Sequence, residues 1–159
     1  MFTTCLWYDN EAEEAAKFYT GIFKDSKIVS TMRYPKAAEA VAGKPAGSVM
    51  TVDFIIMGQQ FMALNGGPEF TFNESVSLVI TCADQQEIDY YWERLTEGGE
   101  ESACGWLKDK FGLSWQVVPS RLNDMLRDGN QDKVEAVMAA LLEMSKLDIA
   151  ALESAYASA

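Results

Sequence analysis

No histidine occurs among the 159 residues of this chain. That absence removes every nucleophile system in which an imidazole takes the proton from serine or cysteine. It also removes the side chain most often used to hold a catalytic transition metal. Cysteine is scarce. Cys5, Cys82 and Cys104 have no C-x-x-C spacing, so neither a zinc ribbon nor a dithiol redox pair is encoded. We read all three as reduced structural thiols, Cys5 and Cys82 in apolar strand patterns and Cys104 in a looser segment before Gly105.

Positive charge is short as well: 13 Lys and Arg stand against 24 Asp and Glu, giving a net charge of −11 and a pI near 4.4. A nucleic acid or an anionic membrane surface needs a basic face, so neither is expected as a partner. No stretch approaches the roughly 18–20 consecutive apolar residues of a spanning helix. The opening residues, MFTTCLWYDNEAEE, turn acidic early and carry neither a basic leader nor a cleavage site, which gives the expectation of a cytoplasmic protein. A glycine-rich strand-to-helix turn, the usual cradle for a dinucleotide or methyl-donor cofactor, is missing too. Gly66-Gly67 and Gly98-Gly99 close elements rather than open a helix. No cofactor is expected, and no catalytic constellation is visible.

What is present is a duplication. Thr4 and Ser77 lie 73 residues apart, as do Tyr19 and Trp92, and each pair opens and closes a similar stretch. Each stretch reads as a short apolar strand, an acidic helix start, and a helix whose inner face carries paired aromatics. Residues 3–8 form the first strand, with Asn10 and Glu13 spaced as a capping box for the helix that follows. Ala12, Ala15, Ala16, Tyr19, Ile22 and Phe23 mark its buried face. Residues 27–34 alternate as a strand, 35–47 read as a loop, and 48–57 with 60–65 form a hairpin across Gly58-Gln59, a glycine-first turn. In the second copy, residues 75–83 are a strand, Asp84 and Glu87 repeat the capping box, and Ile88, Tyr91, Trp92 and Leu95 face inward. A strand near 102–108, a turn at 109–112 and a strand at 113–118 follow, then Ser120 as cap of a short helix. Beyond Asn130 the pattern is helical, with Val134, Val137, Met138, Leu141 and Leu142 on one face and Asp148 capping a last helix through Ile149, Leu152 and Tyr156.

The fold class is therefore α+β. Two βαβββ modules, about 1–66 and 74–129, make up one domain spanning 1–129, and residues 130–159 add a C-terminal helical extension. The segments LWYDNEAEEAAKFY, FMALNGGPEFTFNESVSLVI and GWLKDKFGLSWQVVP resemble the vicinal oxygen chelate superfamily, which includes glyoxalase I, the bleomycin-resistance proteins and extradiol dioxygenases. The chain looks most like its PhnB-like branch, also labelled 3-demethylubiquinone-9 3-methyltransferase-like, along essentially its whole length.

That resemblance implies a curled mixed sheet around a cavity, with inward-facing metal ligands at fixed strand positions. Carried over, they fall on Thr4, on Ser77, on Gln116 after the turn Asp109–Gly112, and near residues 62–65. None is a carboxylate or an imidazole, so no metal site of the superfamily type is expected. Among isolated acids, Asp53 and Glu69 have no evident pairing group. Period-2 alternation extends the cavity face from Thr4 to Leu6, from Ser77 to Val79, and from Gln116 to Ser114 and Val118. It sends Trp7 and Trp115 towards the helices. Trp106 and Phe111 are expected at the cavity mouth. Such a lining suits a small, uncharged or aromatic ligand. The resulting expectation is a metal-free small-molecule binding protein, paired as a homodimer. Three alternatives stand beside it: a metal-independent enzyme of lyase, isomerase or transferase type, an interaction protein docking through its C-terminal helices, and a fold whose interior is filled by its own side chains.

Overall fold

A computed structural model describes residues 2–159, which divide into two compact units, 2–72 and 73–159. The first unit holds β1 (Thr4–Tyr8), α1 (Ala12–Ile22), β2 (Lys27–Arg33), a 3-10 turn at Lys36–Ala38 running into α2 (Glu39–Ala42), β3 (Val49–Ile56) and β4 (Gln59–Asn65). Its four strands lie in the order β1-β4-β3-β2, with β1 parallel to β4 and the other pairs antiparallel. Helix α1 covers one face. Ala12, Ala15, Ala16, Tyr19 and Ile22 are buried as their spacing required, and the Phe54 ring stacks between Tyr19 and Phe61 at centroid distances of 6.1 and 5.4 Å.

The second unit repeats the arrangement with β5 (Ser77–Cys82), α3 (Gln85–Thr96), β6 (Glu100–Glu101), β7 (Trp106–Lys108) and β8 (Ser114–Pro119) in the order β5-β8-β7-β6. Ile88, Tyr91, Trp92 and Leu95 of α3 are buried beside Leu107, Trp115 and Val117. The predicted capping box forms: Asp84 Oδ1 accepts from the Glu87 amide at 2.9 Å, and Glu87 Oε2 accepts from the Ala83 amide at 2.8 Å. At the β7–β8 turn the buried Asp109 carboxylate accepts from the Phe111 and Leu113 amides and from the Trp115 indole, at 2.9, 3.1 and 2.9 Å. That network pins the turn to the core-facing tryptophan. Helices α4 (Leu122–Leu126), α5 (Gln131–Leu142) and α6 (Ile149–Ser158) build a separate apolar cluster from Leu122, Met125, Val137, Leu141, Leu147 and Leu152. The cluster packs in cis against Val118 and Cys104, and Gln85 ties α6 to α3 by accepting from the Ile149 amide at 2.9 Å. Asp148 caps α6 as predicted.

Several local expectations are corrected. Ile56 pairs with Gln59, so the hairpin turn is Met57-Gly58 with φ of 47° and 83°. Positive φ at both central positions is a type I′ turn, which needs glycine second rather than first. The strand expected over 102–108 is a hairpin, because Cys104 and Gly105 take φ of 60° and 82° and reverse the chain between β6 and β7. The loop over 35–47 contains a helical turn, anchored where Lys44 Nζ donates to Asp9 O at 2.7 Å and Asn10 Oδ1 at 2.6 Å. Ser120 caps nothing, since Arg121 holds the N-cap of α4, and Leu142 is exposed.

The capping box at Asn10 and Glu13 does not form. Glu11 holds the N-cap of α1, and the Ala12 amide donates instead to Asn65 Oδ1 at 2.8 Å. Buried Asn65 also donates through Nδ2 to Val49 O at 3.1 Å, and its carbonyl accepts from the Tyr34 hydroxyl at 2.6 Å. Asn65→Ala is therefore expected to destabilise the protein by about 1–3 kcal/mol, against less than about 0.5 for Asn10→Ala, in urea denaturation.

Candidate functional site

Helix α3 covers one face of the second sheet; on the other, Val118, expected on the cavity face, is taken up by the α4–α6 cluster, and the stretch from Ser114 to Gln116 is left without a helix. Residues paired across neighbouring strands point the same way, so the register puts Ser77, Ser114 and Lys108 in one row and Val79, Gln116 and Trp106 in the next. Five of the expected pocket residues, Ser77, Val79, Trp106, Ser114 and Gln116, thus share the open face. Gln116 Nε2 donates to Ser77 Oγ at 2.9 Å. Ser114 is 1% exposed and its hydroxyl has no hydrogen-bond partner. Beside it a recess of about 190 Å³ is lined by Glu74, Glu100, Glu101, Trp106, Lys108 and Ser114. The Lys108 ammonium is ion-paired with the Glu74 carboxylate, which holds that carboxyl below its usual range and the ammonium above its own. Phe111 lies in the β7–β8 turn, with the Lys110 ammonium 5.1 Å from its ring centroid.

The first sheet departs from expectation. Thr4 and Leu6 pair with Phe61 and Ala63, which carry the core under α1, so both lie on the helix-covered face. Tyr8 follows them, its hydroxyl 3.3 Å from that of Tyr19. Trp7 takes the opposite face: its indole donates to Gly67 O at 2.9 Å, and its ring meets Phe70 edge-on at 5.0 Å. Trp115 lies on the helix side as expected.

The physical cause is one residue. Three residues, 9–11, join β1 to α1, whereas two, 83–84, join β5 to α3. The helices superpose at the offset of 73 (Tyr19 with Trp92, Ile22 with Leu95), but the buried strand positions match at 74 (Leu6 with Ile80, Tyr8 with Cys82). A slip of one residue turns a strand over. The first-unit counterpart of Ser77 is therefore Thr3, not Thr4. Because Val79 pairs with Gln116 as Cys5 pairs with Met62, the counterpart of Gln116 is Met62. A recess of about 300 Å³ includes Thr3, Val29, Asp53, Gln60 and Met62 in its lining. Asp53 has a partner that sequence reasoning missed, the Ser30 hydroxyl at 2.7 Å. A bulge in the β2–β3 register between Ile28 and Ser30, invisible in strict alternation, sets that pairing.

A superfamily-type metal ion would meet only neutral side chains at the carried-over positions. Thr3, Met62, Ser77 and Gln116 are all neutral, and the last two are hydrogen-bonded to each other. Among the described residues, no three His, Cys, Asp or Glu side chains come together in a group able to hold a metal ion. These residues do not fit one. Nor is Cys82 a nucleophile. Burial, then the charges of Glu87 and Asp84, push its thiol up to about 12.

The family model for 3-demethylubiquinone-9 3-methyltransferase matches residues 1–118. The chain belongs to that family. The PhnB protein of Bacillus cereus is 35% identical, with a TM-score of 0.66 over 74% of this chain and 98% of its own. A Pseudomonas aeruginosa protein (16% identity, TM-score 0.59, 75% of this chain and 96% of its own) shares the fold. So does the fosfomycin resistance protein FosX of Listeria monocytogenes (12%, 0.52, 84% and 96%). The family match and the PhnB relative agree with the PhnB-like branch of the vicinal oxygen chelate superfamily, and the two more distant structures share its fold. No curated protein matches the chain.

Because a buried hydroxyl without a partner costs about 1–3 kcal/mol, Ser114→Ala is expected to raise the stability of the ligand-free protein by about 1 kcal/mol. Thermal and urea melts check this, and a loss of stability would mean that the hydroxyl is satisfied in solution.

Proposed function

We propose that this family member is a metal-free small-molecule binding protein of the glyoxalase/bleomycin-resistance type. One observation carries the reading. Where a metal-binding relative would present imidazole or carboxylate ligands, Ser77 and Gln116 are bonded to each other, and next to them lies the unpaired Ser114 hydroxyl. Neutral donors and acceptors there orient a small organic ligand rather than polarise it. Trp106 and Val79 supply surface for an aromatic or otherwise apolar body. A metal-independent enzyme of lyase, isomerase or transferase type is the second reading, favoured by Asp53, a hydroxyl-bonded carboxylate lining the recess of the first sheet. Native mass spectrometry of gently purified protein tests the binding reading. A small organic molecule should copurify, or be captured from a metabolite extract, and loss of that capture in Gln116→Leu would place it at this face. Protein that stays empty under both conditions overturns the reading.

Two further outcomes are expected. Elemental analysis should find no stoichiometric zinc, nickel, manganese or iron, and a chelator should leave the melting temperature unchanged, because no metal-binding energy is linked to folding. About one tightly held metal per chain would contradict this. The reading also includes a cytoplasmic homodimer. Helices α4–α6 bury their apolar faces in their own unit, so the apolar surface available for pairing includes Val29 and Met32 on β2, and Val76 and Val79 at β5. Light scattering should give twice the 17.6 kDa chain mass, and a monomer at micromolar concentration would refute the dimer.

A further inference from the structure

We propose that the recess on the open face of β7 and β8 takes a protonated organic amine, whose N–H donates to Ser114 Oγ and whose charge sits beside the Glu100 carboxylate and the Trp106 ring. This rests on the small-molecule reading above and gives the ligand a charged head group that the sequence did not suggest. Ser114 is 1% exposed and its hydroxyl, like that of Thr51 in the first unit, is unpaired among the described residues, which leaves a buried polar atom at this recess for something outside the chain to satisfy. Two carboxylates on that face, Glu74 and Glu100, stand against the single ammonium of Lys108, and that ammonium is already bound to Glu74. Glu101 pairs with Leu107 and accepts from the Trp92 indole at 3.0 Å, so its carboxylate lies on the α3 side of the sheet.

An anionic ligand would therefore enter against uncompensated negative charge, while a cation enters with it. The net charge of −11 acts in the same sense at longer range. Half-buried Trp106, in the row next to Lys108 and Ser114, supplies an aromatic face of the kind that attracts ammonium groups. At about 190 Å³ the recess is smaller than a drug-sized pocket, so it fits a head group with a small ring or short chain.

The test uses the full chain and three probes of one shape: 2-phenylethylamine hydrochloride, 2-phenylethanol and sodium 3-phenylpropionate, titrated calorimetrically at pH 7 and low salt. The amine should bind saturably and the carboxylate should not. Raising the salt tenfold should weaken the amine several-fold, because exposed charge pairs are screened. Glu100→Gln should weaken it several-fold, and Ser114→Ala about three- to tenfold, while both variants melt like a folded protein. Unchanged affinity in Glu100→Gln, or equal binding of the carboxylate, overturns the proposal. If the alcohol binds as well as the amine, the amine site is wrong but small-molecule binding stands. If none of the three binds and native mass spectrometry also finds nothing, both readings fall.

Discussion

In each unit the first strand lies parallel to the last, β1 on β4 and β5 on β8, and the other features of the fold follow from that pairing. Parallel neighbours cannot be joined by a tight turn, so the intervening helix and two strands must be folded before the pair can close. Closure separates two faces. One is sealed by a helix and filled with Phe54, Phe61, Leu107 and Trp115, and the other is left without a helix and with room for chemistry. It also brings together side chains distant in sequence. Ser77 meets Gln116 across 39 residues, and no local motif contains both.

The helices were legible because their signal is periodic and self-contained. Tyr19 with Ile22, and Trp92 with Leu95, needed only the spacing of a helical turn, and the Asp84–Glu87 cap lies within four residues. The open face of the second sheet was legible for a similar reason, since alternation from Ser77 and from Gln116 agrees with the observed register. The first sheet was misread because alternation has no memory of loop length. Counting back from Tyr19 at the offset of 73 aligns Thr4 with Ser77, and one additional residue among 9–11 reverses its side. Nothing in residue type marks that residue as an insertion. Asn65 was illegible for another reason: its partners at Ala12, Val49 and Tyr34 become neighbours only in the folded sheet.

The two open faces are not equivalent chemically, although the topology repeats. Where the second sheet has Trp106 opposite Gln116, the first has Asp53 opposite Met62. Where the second has Lys108 opposite Ser114, the first has Ile55 opposite Gln60. Duplication fixed where side chains project and left their identities free to diverge, so the family fold alone carries no activity from one member to the next. The family's methyltransferase label meets the same limit here, as no glycine-rich cofactor turn opens either helix.

The contrast between the two helix caps bears on the order of folding. Helix α3 carries its cap in its own first turn, so that end is satisfied as soon as the helix forms. Helix α1 borrows its cap from a residue 53 positions downstream and lacks one until β4 is seated. Two copies of one topology thus begin differently. The second nucleates from local contacts, while the first waits on a long loop closure whose entropy must be met before the cap can form.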